Sequence, residues 1–279
     1  MKTYTVQAFT KDNKGGNIAG VVLDCSIFSN KEMQYIAKEL GFSETAFILK
    51  SAVADFKIKF FTPESEVDLC GHATIAAFSL LRNLKIISCG TYTQETKAGV
   101  LKVFVTENEI FMEQSLPEFL NILNSSEILD SLNITEESLD KNIPVRIIST
   151  GLKDIFIPIK NREILNKISP NQDMIKSISK KFNVIGYHLF ALDEEVNIDA
   201  YCRNFAPLYG IDEESATGTS NCALACYLYK LNKVKNDNYH FNFIQGESLG
   251  NISEIKGQLK IESNHIKECY IGGHCSSTY

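Results

Sequence analysis

The sequence has no CxxC pair, no long apolar run and no basic run. Each absence removes a class of function. Its eight cysteines, Cys25, Cys70, Cys89, Cys202, Cys222, Cys226, Cys269 and Cys275, are scattered. That pattern argues against a zinc ribbon or a dithiol redox motif. No stretch approaches the ~18 apolar residues that a membrane-spanning helix needs. The net charge of −6 and the missing basic patch argue against nucleic acid as a partner. The N-terminus, "MKTYTVQAFT", lacks the apolar core of a secretion signal. A soluble cytoplasmic protein is expected, with most cysteines as buried free thiols acting as small hydrophobes. Cys222 and Cys226 lie four apart on an expected helix. A metal there would need further ligands that the sequence does not reveal, so core packing is expected.

What is present is an ordinary globular composition, with 279 residues, 44% hydrophobic and 22% charged, and only six prolines. Residues 29–41, "SNKEMQYIAKELG", read as a helix. Ser29 and Glu32 form a capping box, Gly41 is the stop, and Met33, Ile36, Ala37 and Leu40 make one apolar stripe. "SETAFIL" and "DFKIKFF" read as strands. "CGHAT" then introduces a short helix from Ala73 to about Leu81. "LKVFVTENEIFMEQ" reads as a hairpin turning at Glu107 and Asn108.

The second half repeats this order. "ISKKFNVIGYHLFAL" (178–192) lies over "IAKELGFSETAFIL" (36–49), matching Ile178 to Ile36, Lys180 to Lys38 and Phe182 to Leu40. "DAYCRNFAP" matches "FKIKFFTP", with Phe205 over Phe61 and Pro207 over Pro63. "ATGTSNCALACYLYKL" matches "LCGHATIAAFSLLRNL", with Gly218 over Gly71. Three matches in one order suggest two similar domains. The alternative is two ordinary β-α segments sharing only amphipathic patterns. Tight turns rather than helical crossovers favour an α+β architecture, two pseudo-symmetric domains, each a curled, mostly antiparallel sheet around a central helix. The expected boundaries are 1–120 and 121–263, with the tail 264–279 free to pack back onto the first domain. The polar segment 120–143 is expected to connect them.

Each half places a glycine turn at a helix start, where unpaired N–H groups and the helix dipole favour an anion. Two such ends facing one cleft suit a small carboxylate or a developing oxyanion. In the alignment Cys70 faces Thr217 and His72 faces Thr219. Glu44 faces Gly186, so an acid stands in one half only. A carboxyl in an apolar cleft is expected to gain pKa, toward the range useful for general acid–base work. His72, at a helix start, is expected to be neutral and a hydrogen-bond donor. Gly71 and Gly218 are expected to act through backbone N–H, with close approach of a ligand. Cys70 faces the ligand or packs the turn. His188, His240, His265 and His274 are expected to be structural.

These turns, in a two-fold repeat of this length, resemble the diaminopimelate epimerase superfamily. Its racemases place one cysteine on each turn, whereas this chain has Cys70 but Thr217. The chain is more similar to the PhzF-like family within it, through "VQAFT", "GGNIAGVVL", "GFSETAF", "DLCGHAT", "RNFAP", "ATGTS", "FIQGESLG" and the terminal "IGGHC". The family usually has Asn-Pro where this chain has Asn17-Ile18. It usually has Glu-Asp-Pro-Ala-Thr-Gly-Ser where this chain has "EESATGT". Glu214 thus replaces an aspartate, Ser215 a proline and Thr219 a serine, and Asn251 stands where arginine is common.

The resemblance implies an isomerase, with one glutamate moving a proton between carbons of its substrate and with no metal or organic cofactor. It implies Glu44 as that residue. It implies substrate contacts from Cys70, Gly71, His72 and Ala73 at the first turn, and from Glu214, Thr217, Gly218, Thr219 and Ser220 at the second. A small carboxylate substrate, a homodimer and a phenazine-type biosynthetic role are further implications. An amino-acid racemase, or a binding protein that keeps the fold without the chemistry, are the alternatives.

Overall fold

A computed structural model describes residues 2–192, 197–236 and 238–278. The chain divides into two compact units, Met1–Glu113 with Gly272–Tyr279, and Gln114–Ile271. The first contains β1 (Lys2–Ala8), β2 (Asn17–Leu23), α1 (Asn30–Leu40), β3 (Glu44–Leu49), β4 (Phe56–Phe61), β5 (Glu66–Val67), α2 (Gly71–Asn83), β6 (Gly90–Thr96), β7 (Gly99–Val105) and β8 (Ile110–Gln114). There follow β9 (Glu118–Ile122), α3 (Leu129–Leu132), β10 (Arg146–Ser149), β11 (Lys153–Ile159), α4 (Arg162–Lys167), α5 (Gln172–Phe182), β12 (Gly186–Leu192) and β13 (Ala200–Ala206). The chain ends with β14 (Ile211–Glu214), α6 (Gly218–Lys230), β15 (His240–Gln245), β16 (Ser253–Glu262), β17 (His265–Gly273) and β18 (Cys275–Thr278).

The two units share one pairing scheme. In the first, β1–β2, β3–β4, β4–β5 and β6–β7 are antiparallel, while β2–β3 and β4–β6 are parallel. In the second, β10–β11, β12–β13, β13–β14 and β15–β16 are antiparallel, while β11–β12 and β13–β15 are parallel. The last strand, β18, pairs with β1. β9 pairs with β10 inside the second unit, which is why the break falls before it. The expected mostly antiparallel, twice-repeated α+β architecture is thus present, with two parallel pairings in each copy.

Local chemistry sets the elements. Ser29 accepts from the Glu32 N–H and Glu32 closes back on the Ser29 N–H, while Gly41 ends α1 at φ 68. Ser29→Ala removes this cap and should cost about 1 kcal/mol, read as a lowered midpoint of thermal unfolding. In β4, Lys57 and Lys59 alternate with Ile58 and Phe60, the latter two buried. Phe47 and Phe61 meet edge to face at 5.4 Å, beside Met33 and Ala37 of α1. The central helices α2 and α6 are buried along nearly their whole length, so they carry no polar stripe. α2 starts at Gly71, earlier than expected, because Cys70 already has the extended backbone of a cap.

The segment 120–143 corrects an expectation. It is built into the core of the second unit. Ile128, Leu132 and Leu139 are buried there, and Ser131 meets the Tyr187 hydroxyl at 3.2 Å.

Candidate active site

Glu44 opens β3 in parallel register with Ala19 of β2. His72 lies in the first turn of α2. The fold brings them together, with Glu44 Oε2 3.2 Å from His72 Nε2 and side chains 17% and 6% exposed. Ser43 Oγ lies 3.4 Å from the same ring nitrogen. The other nitrogen, Nδ1, has Cys70 Sγ at 3.5 Å and Asn17 Nδ2 at 3.4 Å. A thiol, an imidazole and a carboxylate therefore stand in a row at an apolar helix start. Thr74 fixes this turn by donating its hydroxyl to the Cys70 carbonyl at 2.8 Å, and Gln94 of β6 holds Thr74 at 3.3 Å.

The charge states differ from the expectation for each group taken alone. Burial pushes Glu44 up, but the His72 charge and hydrogen bonds from His72 and Ser43 outweigh it, holding Glu44 below its ordinary value of 4.5. Burial likewise pushes His72 down. The charges of Cys70 and Glu44, and hydrogen bonds to both, more than offset this and hold it well above 6.5. Both directions are corrections: His72, with Ser43, holds Glu44 down, and Cys70 and Glu44 together hold His72 up, each by charge and hydrogen bonding that outweigh burial. Cys70 is pushed up, chiefly by burial, with the His72 charge opposing the rise. These directions favour the carboxylate–imidazolium form of the pair.

Of the other residues expected at the first turn, Gly71 leads the helix with open space where a Cβ would stand. Ala73 is fully buried. In the second unit Glu214 ends β14, and Thr217 donates its hydroxyl to Glu214 Oε2 at 2.6 Å. Arg203 clamps β14 through a bidentate pair with Glu213, both contacts 2.8 Å. Gly218 begins α6 and is buried, and the Thr219 carbonyl accepts from Thr150 Oγ1 at 3.0 Å. Ser220 donates to the buried Asp154 at 2.5 Å. No side-chain hydrogen bond caps α2 or α6 at Cys70 or Thr217.

Several residues here escaped the sequence reading. Asn17 and Ser43 flank His72. Gln245, fully buried, donates to the Glu214 carbonyl at 2.8 Å and to Thr217 Oγ1 at 3.0 Å. Asp154 also accepts from the Gly186 N–H at 2.9 Å, and burial raises its pKa. The available signal was a polar residue inside or leading an apolar run, in "FNFIQ" and "DIFIPI". Among the described residues, two clusters bring metal-type donors within 4.8 Å of one another: Glu44, Cys70 and His72, and Cys222, Cys226 and Cys269. His188 is fully buried and pushed down to about 3 by burial, His274 pairs with Glu109 at 3.2 Å, and His240 and His265 are exposed.

Phenazine biosynthesis-like proteins, the PhzC-PhzF family, match this sequence over residues 6–278. The chain belongs to the PhzC-PhzF family. An uncharacterized isomerase of Clostridium acetobutylicum, CA_C3446, is 36% identical, covering 97% of this chain and 94% of its own length. A crystal structure of a Bacillus anthracis PhzF family protein superposes with a TM-score of 0.90 at 29% identity, covering 100% of this chain and 98% of the other. The fold extends to a hydroxyproline epimerase from Agrobacterium vitis, with a TM-score of 0.65 at 13% identity over 99% and 88% of the two chains. The epimerase-like architecture implied by the resemblance is therefore that of this PhzC-PhzF protein. Among the described residues no helix is long and apolar enough to cross a membrane.

Proposed function

We propose that this isomerase moves a proton between two carbons of a small carboxylate-bearing substrate through Glu44, with no cofactor. The supporting observation is the buried Glu44–His72 pair. It presents an ionised base in an apolar setting, beside a cation that can answer negative charge on the substrate. Glu44 takes a proton from a carbon next to a conjugated or carbonyl-activated system. The C–H electron pair enters that system, and His72 stabilises the charge that develops. The protonated Glu44 then delivers the proton to the second carbon, restoring its carboxylate. The uncapped start of α2 supplies N–H groups for the substrate carboxylate. The start of α6 is of the same kind, with Thr217 and Thr219 beside it.

The pair sets a pH profile. Activity requires Glu44 ionised and His72 protonated. It should rise through a pKa below 4.5 and fall through one well above 6.5, with a plateau between. His72→Gln removes the charge that pulls Glu44 down and leaves the burial that pushes it up. The acid limb should then move above 4.5, and the plateau should drop roughly 100-fold. An unmoved acid limb in initial-rate measurements against pH would contradict the pairing.

A racemase would need a second proton carrier. At the counterpart of Cys70 stands Thr217, whose hydroxyl is committed to Glu214. Incubation of candidate carboxylates in D2O tests the reading. Deuterium at carbon with relocated unsaturation supports isomerisation, while optical inversion alone indicates racemisation. Bound ligand without deuterium indicates a binding protein.

A further inference from the structure

Cys222 and Cys226 lie one turn apart on α6, and Cys269 lies on β17. All three are fully buried and none is in a disulfide. The sequence showed only the first two as neighbours; the fold adds the third. Their sulfur atoms lie within 4.8 Å of one another. Packing as small hydrophobes accounts for each thiol singly. It does not account for three sulfurs converging from a helix and a strand.

The geometry points to a three-sulfur site in the second unit for a univalent d10 metal ion, with Cu(I) the chemistry that fits. Three soft donors select a soft ion. A structural zinc ion almost always takes four protein ligands, and among the described residues this cluster offers three. With metal–sulfur bonds of about 2.3 Å, a trigonal site sets its sulfurs about 4 Å apart, inside the observed span. Cys269 is already oriented by donating to the Ser115 carbonyl at 3.2 Å.

The bound ion would tie α6, whose first turn carries Thr217 to Ser220, to β17.

The test is a titration of the reduced full-length protein, without oxygen, against Cu(I) held by a chromophoric chelator. Wild type and Cys89→Ser should each withdraw one equivalent. Cys269→Ser and Cys226→Ser should bind at least 100-fold more weakly. X-ray absorption on copper-loaded wild type supplies a readout independent of any variant's folding, and a shell of sulfur alone is expected. The proposal fails if the chelator keeps its copper, if Cys269→Ser binds as wild type does, or if nitrogen or oxygen appears in the shell. That last outcome would move the ion to the Glu44–Cys70–His72 cluster.

Discussion

Glu44→Gln should lower turnover by roughly 1,000-fold or more, while binding of a substrate carboxylate changes little. The substitution keeps size and shape but removes the proton acceptor. It also acts on His72. That ring is well above 6.5 only because neighbouring charges outweigh its burial. With the carboxylate gone, burial weighs more heavily and the imidazolium is less favoured. Base and charge stabiliser are weakened by one change, so the loss should approach the upper range for general acid–base catalysis. The measurement is deuterium incorporation from D2O across a panel of conjugated carboxylic acids, beside calorimetric binding of the same compounds. Equal incorporation by wild type and variant would end the proton-carrier assignment. Loss of binding together with incorporation would reassign Glu44 to substrate recognition.

The parts of this molecule legible in its sequence are those decided by neighbours along the chain. The Ser29–Glu32 box, the Gly41 stop and the turn between β7 and β8 are short-range devices, and all three stand where expected. The repeat was legible because helix, strand, strand and glycine turn recur in order. Charge states were not legible, because Glu44 and His72 were weighed singly. A lone buried carboxyl rises and a lone histidine at a helix start falls. At 3.2 Å from each other both trends reverse. The same limit hid Asp154, Gln245 and Cys269. Each sits in an apolar stretch that reads as a strand, and its partners come from elements distant in sequence. The segment 120–143 misled because its polar residues are many while the few apolar ones, Ile128, Leu132 and Leu139, anchor it in the core.

Gly186→Ala should cost about 3 kcal/mol or more, lowering the thermal midpoint of the second unit by roughly 6 °C or more. A Cβ at 186 would lie 1.8 Å from the Phe205 carbonyl oxygen, 2.8 Å from its carbon and 3.0 Å from Ala206 Cα. These are backbone atoms of the paired strand β13, and no rotamer change moves them. This position is the counterpart of Glu44, so the single acid of the repeat has a steric reason as well as a chemical one. The second unit has no room for a side chain there. Its buried carboxylate stands instead on the adjacent strand, as Asp154, paired in register with Gly186 just as Ala19 is with Glu44. Gly71→Ala is the matching control, since a Cβ there meets nothing within 4 Å. Its stability should change by less than about 0.5 kcal/mol. A loss of turnover in that variant, with the fold intact, would mean that the space over the first turn of α2 is occupied by ligand. Unchanged stability in Gly186→Ala, by contrast, would mean that β12 and β13 can separate there. The steric account of why only one half carries the glutamate would then be wrong.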